Sequence, residues 1–239
     1  MKLYKHTFLT LCILLIFVFT CNATWSIIVV DPKTNEVGIA GASCTNSVYG
    51  IGGIIPGKGA IVVQAMSNPF ARSKGLKMIM ANASPEEILK AMKDSMFDPE
   101  HQQYAIICVK YLDNPLTYTG ISTTPIKGTL TAKGISVQGN TLTNVEELQS
   151  VLNTAIQAQK DSLPIEEVLM LALEAGAKLG GDKRCGHIKA LSAFLTVAKP
   201  SDNPKSPYLD LVVYGTNDKV NAVEALRQKF NIWKIEVNK

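Results

Sequence analysis

Thr24-Trp25-Ser26-Ile27-Ile28-Val29-Val30-Asp31, then Pro32-Lys33-Thr34-Asn35, then Glu36-Val37-Gly38-Ile39-Ala40-Gly41-Ala42-Ser43, is the stretch that decides the fold. Two runs rich in Ile, Val and Ala flank a Pro- and Asn-bearing turn. This predicts a β-hairpin with strands over 24–31 and 36–43.

The residues before the hairpin have a different character. Lys2 and Lys5 form a positive start, 8–20 is almost wholly apolar, and Cys21-Asn22-Ala23 places small residues where a signal peptidase reads. Residues 1–23 therefore read as a cleaved export signal, with a secreted or periplasmic product. The apolar stretch is marginal for spanning a bilayer and no stop-transfer pattern follows. A rival reading makes Cys21 a lipidated first residue, which the bulky Phe19 and Thr20 fit poorly. Under it, Thr24 would stay internal.

Beyond the hairpin, 49–59 reads as a Gly-rich loop ending in Pro56-Gly57, and 59–66 as a third strand. Asn68-Pro69 caps a helix running to about Ala81. Ser84-Pro85-Glu86-Glu87 is a capping box that opens another. Two or more strands span 104–139. Asn144-Val145-Glu146-Glu147 starts a long helix, and Pro164-Ile165-Glu166-Glu167 starts the next, which Gly180-Gly181 ends. Strands over 189–198 and 208–214 flank a Pro-rich loop. A closing helix over 217–230 carries Ala222, Leu226 and Phe230 on one face. Long runs of each element type predict a single α+β domain over 24–239, with helices layered outside sheets.

Composition narrows the function. The 239 residues are 46% hydrophobic and 18% charged, a globular balance. The net charge of +4 includes Lys2 and Lys5, and the remaining Lys and Arg are scattered. Neither nucleic acid nor an anionic membrane is expected as a partner. Cys44, Cys108 and Cys185 lie beyond the leader. Export implies an oxidising compartment, so one disulfide and one thiol are expected. Cys108 sits in an apolar run and reads as a buried thiol. Cys44 and Cys185 occupy Gly-rich loops and are expected to pair; the alternative is two unpaired cysteines.

The chain has no Gly-x-Ser-x-Gly, no phosphate-binding Gly-x-x-x-x-Gly-Lys-Ser/Thr and no His-Glu-x-x-His. It holds three His, of which His6 is in the leader, His101 reads as solvated, and His187 receives no role. No metal or cofactor is expected, the widely spaced Cys making a zinc site poorly supported. The scarcity of bases draws attention to Thr24. A hydroxyl is a weak nucleophile until a base takes its proton. A first-residue Thr supplies that base itself, because a free α-amine titrates at roughly 7.7–8.0. The bland alternative is that Thr24 merely begins a strand.

Thr24-Trp25-Ser26-Ile27 with Asp31-Pro32 and Glu36-Val37-Gly38-Ile39-Ala40 resembles the opening of the DUF1028 family. Gln64-Ala65-Met66-Ser67-Asn68-Pro69 with Gly75-Leu76, Ser136-Val137-Gln138-Gly139-Asn140-Thr141-Leu142, and Gly180-Gly181-Asp182-Lys183-Arg184 with Ala190-Leu191-Ser192-Ala193 resemble its later motifs, in the family's order. The likeness runs from Thr24 to Phe230. It implies a four-layer αββα sandwich of the N-terminal-nucleophile (Ntn) hydrolase type, and supplies no substrate.

On that resemblance Thr24 is the expected nucleophile. Asn140 is the expected oxyanion donor, an aid worth about 3 kcal/mol in comparable sites. Gln138 either orients a carbonyl or, with Gly139 and Asn140, forms a tight turn. Gln64, Ser43 and Ser26 are expected pocket residues, Ser26 sharing a strand face with Thr24. Asn68 reads as a helix cap. Asp182 and Arg184 either bind a charged substrate end or pair with each other at the surface.

The leading expectation is an exported amidohydrolase acting on peptides, cell-wall fragments or acylated small molecules. The second is a non-catalytic secreted binding or surface-assembly module on the same fold. The third is a metal-dependent hydrolase using His187 and Asp182. Whether the protein forms a homo-oligomer is left open.

Overall fold

A computed structural model describes residues 24–217 and 219–237. The expected leader, its cleavage after Ala23 and the rival lipidation at Cys21 lie outside the described residues. In chain order the strands are β1 (Thr24–Val30), β2 (Val37–Ser43), β3 (Gly52–Ile55), β4 (Gly59–Ala65), β5 (Gln102–Cys108), β6 (Leu116–Thr119), β7 (Gly128–Ala132), β8 (Ile135–Asn140), β9 (Ser192–Ala198) and β10 (Leu209–Val213). The helices are α1 (Pro69–Met80), α2 (Pro85–Met92), α3 (Glu147–Lys160), α4 (Ile165–Leu179) and α5 (Ala222–Val237).

These strands form two antiparallel sheets. One has six strands in the order β10-β9-β2-β1-β8-β7, the other four in the order β3-β4-β5-β6. The predicted hairpin is β1–β2, with Thr24 opposite Ser43 and Val30 opposite Val37. Asp31 closes its turn, its carboxylate accepting from the backbone N–H of Lys33 and Thr34. β1 is also paired along its other side, to β8, with Thr24 opposite Asn140. The strand that begins with Thr24 is therefore central.

Every residue of β1 is buried, because its two faces meet two different cores. Trp25, Ile27 and Val29 pack among residues of α3, α4 and α5 such as Val151, Leu169, Leu173 and Phe230. Ile28 and Val30 point the other way and meet Val62, Ala105 and Ile107 of the four-stranded sheet. A third core joins that sheet to α1 and α2 through Ile61, Val63, Ile106, Ile79, Ile88 and Met92. Helices thus flank the outward face of each sheet. Burying one such aliphatic or aromatic side chain contributes roughly 1.5–3 kcal/mol. Trp25 also donates its indole N–H to Leu173 O at 3.3 Å. Gly176 admits that ring: a Cβ there would lie 2.5 Å from Trp25 Nε1.

The helix boundaries follow their expected caps. Asn68 Oδ1 accepts from the backbone N–H of Phe70 and Ala71, with Pro69 in the first turn. Ser84 and Glu87 form a reciprocal capping box. Gly180 ends α4 at φ +130°. Among the described residues, no helix is long and apolar enough to cross a membrane.

The span expected to hold two or more strands holds four, β5 to β8. Three boundaries differ from the sequence-based expectation. The Gly-rich stretch expected as a loop contains β3, a half-buried edge strand on β4. The segment 189–191 is not a strand; it turns back so that Lys189 O accepts the Asp182 N–H. The closing helix starts later and runs to Val237, past the buried Phe230 face.

Candidate functional site

At the Thr24 end of β1 the space between the sheets is polar. The inward positions there are Ser26 on β1, Gln64 on β4, Gln103 on β5, and Ser136, Gln138 and Asn140 on β8, all at most 1% exposed. Their hydrogen bonds run in one consistent direction. Ser136 Oγ donates to Gln138 Oε1 at 3.0 Å, and Gln138 Nε2 donates to Ser26 Oγ at 2.6 Å. Ser26 Oγ donates to Gln64 Oε1 at 2.6 Å, and Gln64 Nε2 donates to Gln103 Oε1 at 2.9 Å. Asn140 Nδ2 also donates to Gln103 Oε1, at 2.9 Å, and Gln103 Nε2 donates to Gly139 O at 3.0 Å. Such a satisfied network in a low-dielectric interior is rigid, and each member fixes its neighbour's amide orientation.

The network reaches Thr24 through Gln64, whose Nε2 also faces Thr24 O at 3.4 Å. Gln138-Gly139-Asn140 is strand, not the tight turn held open as an alternative, because β8 is paired on both sides. Asn140 has two amide hydrogens, and Gln103 Oε1 receives one of these bonds.

Thr24 lines a cavity of about 300 Å³ with Tyr49 and Gly50 from the segment after β2, Ala65 and Ser67 at the end of β4, and Arg72 from α1. The cavity's rim is strained. Ala65 has φ +69° and Ser67 φ +50°, and Thr141, just after Asn140, has φ +52°. Left-handed conformations in such residues cost about 1–3 kcal/mol each and gather at functional sites. Arg72 is the cavity's charged group. Burial lowers its pKa. Among the described residues no carboxylate pairs with it.

The remaining expected residues sort as follows. Ser43 is buried opposite Thr24, its Oγ accepting from Thr45 Oγ1 at 3.2 Å. Cys44 and Cys185 are disulfide-bonded, Cα to Cα 5.5 Å, and Cys108 is a buried thiol whose pKa burial pushes up to about 11. Asp182 and Arg184 do pair, but the carboxylate is fully buried rather than at the surface. Asp182 accepts from Cys44 N at 2.6 Å, from Arg184 N at 3.0 Å, and from the Arg184 guanidinium at 2.7 and 3.1 Å. It clasps the loop after β2 beside the disulfide, and neither residue lines the Thr24 cavity. Both Asp182 oxygens are thus taken up by these donors. Among the described residues no group of three or more His, Cys, Asp or Glu is gathered to hold an ion. His101 is exposed and pairs with Asp98 at 2.9 Å.

Sequence reasoning missed Gln103 and Arg72. Gln103 directly precedes an apolar run, and its polar type inside a strand was the available signal. Arg72 looks like any helical surface cation until the start of α1 is placed, across β4, at the Thr24 cavity.

A family model described as a family of unknown function, DUF1028, matches residues 24–223. The chain is also similar to a protein from Silicibacter pomeroyi whose crystal structure carries the same family model. The two are 23% identical, the likeness covers 87% of this chain and 88% of that one, and the TM-score is 0.74. At that identity the likeness shows the fold alone. No curated protein matches the chain.

Proposed function

The chain belongs to the DUF1028 family, and we propose that this member is an exported amidohydrolase on a four-layer αββα sandwich of the Ntn type, with Thr24 its N-terminal nucleophile. The observation that carries the reading is the placement of Thr24. It begins a central strand, paired on both sides, and lines a cavity rimmed by strained Ala65 and Ser67. Ser43 on β2 and Asn140 on β8 are its register partners, Gln64 Nε2 faces its carbonyl at 3.4 Å, and Ser26 with Gln138 continue the polar network behind it.

Removal of residues 1–23 makes Thr24 the first residue and frees its amine. The disulfide fits an oxidising compartment for the product. Thr24 Oγ attacks the amide carbonyl carbon while the α-amine takes the hydroxyl proton. The second Asn140 amide hydrogen, together with backbone N–H groups, stabilises the oxyanion, and Gln103 holds the Asn140 amide in orientation. The C–N bond breaks as the ammonium returns its proton to the leaving nitrogen, leaving an acyl ester on Thr24. Water, deprotonated by the same amine, then cleaves the ester, releasing the acid and restoring the hydroxyl. Amine and hydroxyl share one residue, so their proximity is covalently set.

A second reading, a non-catalytic binding module, draws on the occupation of Gln138, Gln64 and Asn140 by Ser26, Ser136 and Gln103. Mass spectrometry of the secreted protein separates the two. A first residue of Thr24, with an electrophile adduct that vanishes in Thr24→Ala and persists in Thr24→Ser, is the expected result. A mature form starting elsewhere, or an unreactive Thr24 in folded protein, removes the enzyme reading.

A further inference from the structure

A second cavity, of about 380 Å³, meets the Thr24 cavity at Tyr49 and Gly50, which line both. Its character is different. Ile39, Ile54, Ile55, Leu76 and Phe194 give it an apolar wall between the edge strand β3 and the β9–β10 side of the other sheet, where Thr196, Lys205 and Asp210 also line it. At β3, a Cβ on Gly52 would meet Ile39 at 2.8 Å and one on Gly53 would meet Leu76 at 2.6 Å, so both positions pack tightly against that wall. Tyr49 presents its ring, because its hydroxyl is held by Asp210 Oδ2 at 2.8 Å and the ring packs edge-on against Phe194. Arg72 stands at the Thr24 end, half-buried and without a described counter-charge.

One occupant satisfies both ends. We propose that the joined cavities bind an N-acyl amino acid: a carboxylate on Arg72, the amide at Thr24, and an aliphatic acyl chain along the groove. The proposal rests on Thr24 as the attacking residue and adds the substrate class. The planar guanidinium fork matches a carboxylate with two parallel N–H···O bonds. Its place in the same cavity as Thr24 puts that carboxylate on the amine side of the scissile amide. The acyl side then faces the apolar groove, where each methylene removed from water favours binding. Attack at the carbonyl would release the fatty acid and the free amino acid.

The test is a binding measurement, so it does not depend on turnover. Mature Thr24→Ala protein with its disulfide intact is titrated calorimetrically with N-acetyl-, N-hexanoyl- and N-octanoylglycine and with their methyl esters. Affinity is expected to rise by about two- to fourfold per methylene. Acids are expected to exceed esters by about tenfold or more. Arg72→Ala, a helix-compatible change, should abolish the preference for acid over ester and keep the chain-length dependence. Ile54→Asn on the edge strand should reduce the chain-length dependence and keep the acid preference. An acid preference that survives Arg72→Ala, or a chain-length dependence unchanged by Ile54→Asn, overturns the proposal, as does failure of the acylglycines to bind. Circular dichroism certifies the fold of each variant. Binding as expected alongside an unlabelled Thr24 would remove the nucleophile while leaving the ligand class, so the two failures are distinguishable.

Discussion

Gln103→Leu removes the acceptor on which two buried amides converge. Gln64 Nε2 and Asn140 Nδ2 each lose a 2.9 Å bond, although Gln64 keeps a 3.4 Å contact to Thr24 O. Gly139 O loses its 3.0 Å donor and Thr119 Oγ1 a 3.1 Å one. An orphaned buried polar group costs about 1–3 kcal/mol. With Asn140 Nδ2 orphaned and the others partly so, the expected loss is about 3 kcal/mol. Thr119→Val removes a single partly buried bond and should cost about 1 kcal/mol. Urea titration of the mature, disulfide-intact protein measures both, and an unchanged slope would show that the denatured state is unaltered. A loss for Gln103→Leu below about 0.5 kcal/mol, the range of ordinary surface changes, would refute the claim that this network holds the sheets together. Gln103→Glu adds a pH signature. Its protonated carboxyl can donate to Gly139 O and its carboxylate cannot, so that variant should lose stability as pH rises.

Replacing Cys44 and Cys185 together by Ser opens a cross-link spanning 141 residues, worth about 5 kcal/mol in the chain-entropy treatment. The melting temperature should fall to match that of the reduced wild type. Glu147, at the start of α3, is fully buried, and among the described residues neither of its oxygens finds a well-aligned hydrogen-bond partner, the Gly181 N–H lying near but poorly directed. Burial, then the nearby Asp182 charge, pushes its pKa up to about 8, which the adjacent Gly181 backbone offsets only partly. Folded protein therefore holds a proton that the unfolded chain gives up near pH 4.5, so stability falls as pH rises from about 4.5 to 8. Glu147→Gln should flatten that dependence and exceed wild type at pH 8 in urea midpoint. Gly176→Ala would press α4 away from Trp25, at an expected cost of about 1–3 kcal/mol in the same titration.

The parts of the fold written in local chemistry were legible. The β1–β2 hairpin, the caps at Asn68, Ser84 and Gly180, and the burial of Cys108 each depend on neighbours a few residues away. The Cys44–Cys185 pairing was legible because few cysteines remain beyond residue 23. Other features depend on distant contacts. β3 is a four-residue edge with two glycines, and only β4 beside it makes it a strand. Asp182 was expected either to bind a charged substrate end or to pair with Arg184 at the surface; its burial depends on the Cys44 amide and the Arg184 fork arriving from either side. Arg72 gains meaning only where the first turn of α1 reaches the Thr24 cavity. Gln103 does so only where β5 passes beneath β8.

The one-way run of donors and acceptors between the sheets has a consequence for assembly. Apolar faces tolerate a strand sliding by two residues, since greasy positions would again meet greasy positions. Sliding β1 that far along β8 would carry the Ser26 hydroxyl away from Gln138 and strip both of them in a dry interior. The polar thread thus acts as an alignment mark for the central strand, ensuring that Thr24, and no residue two places along, arrives at the mouth of the cavity.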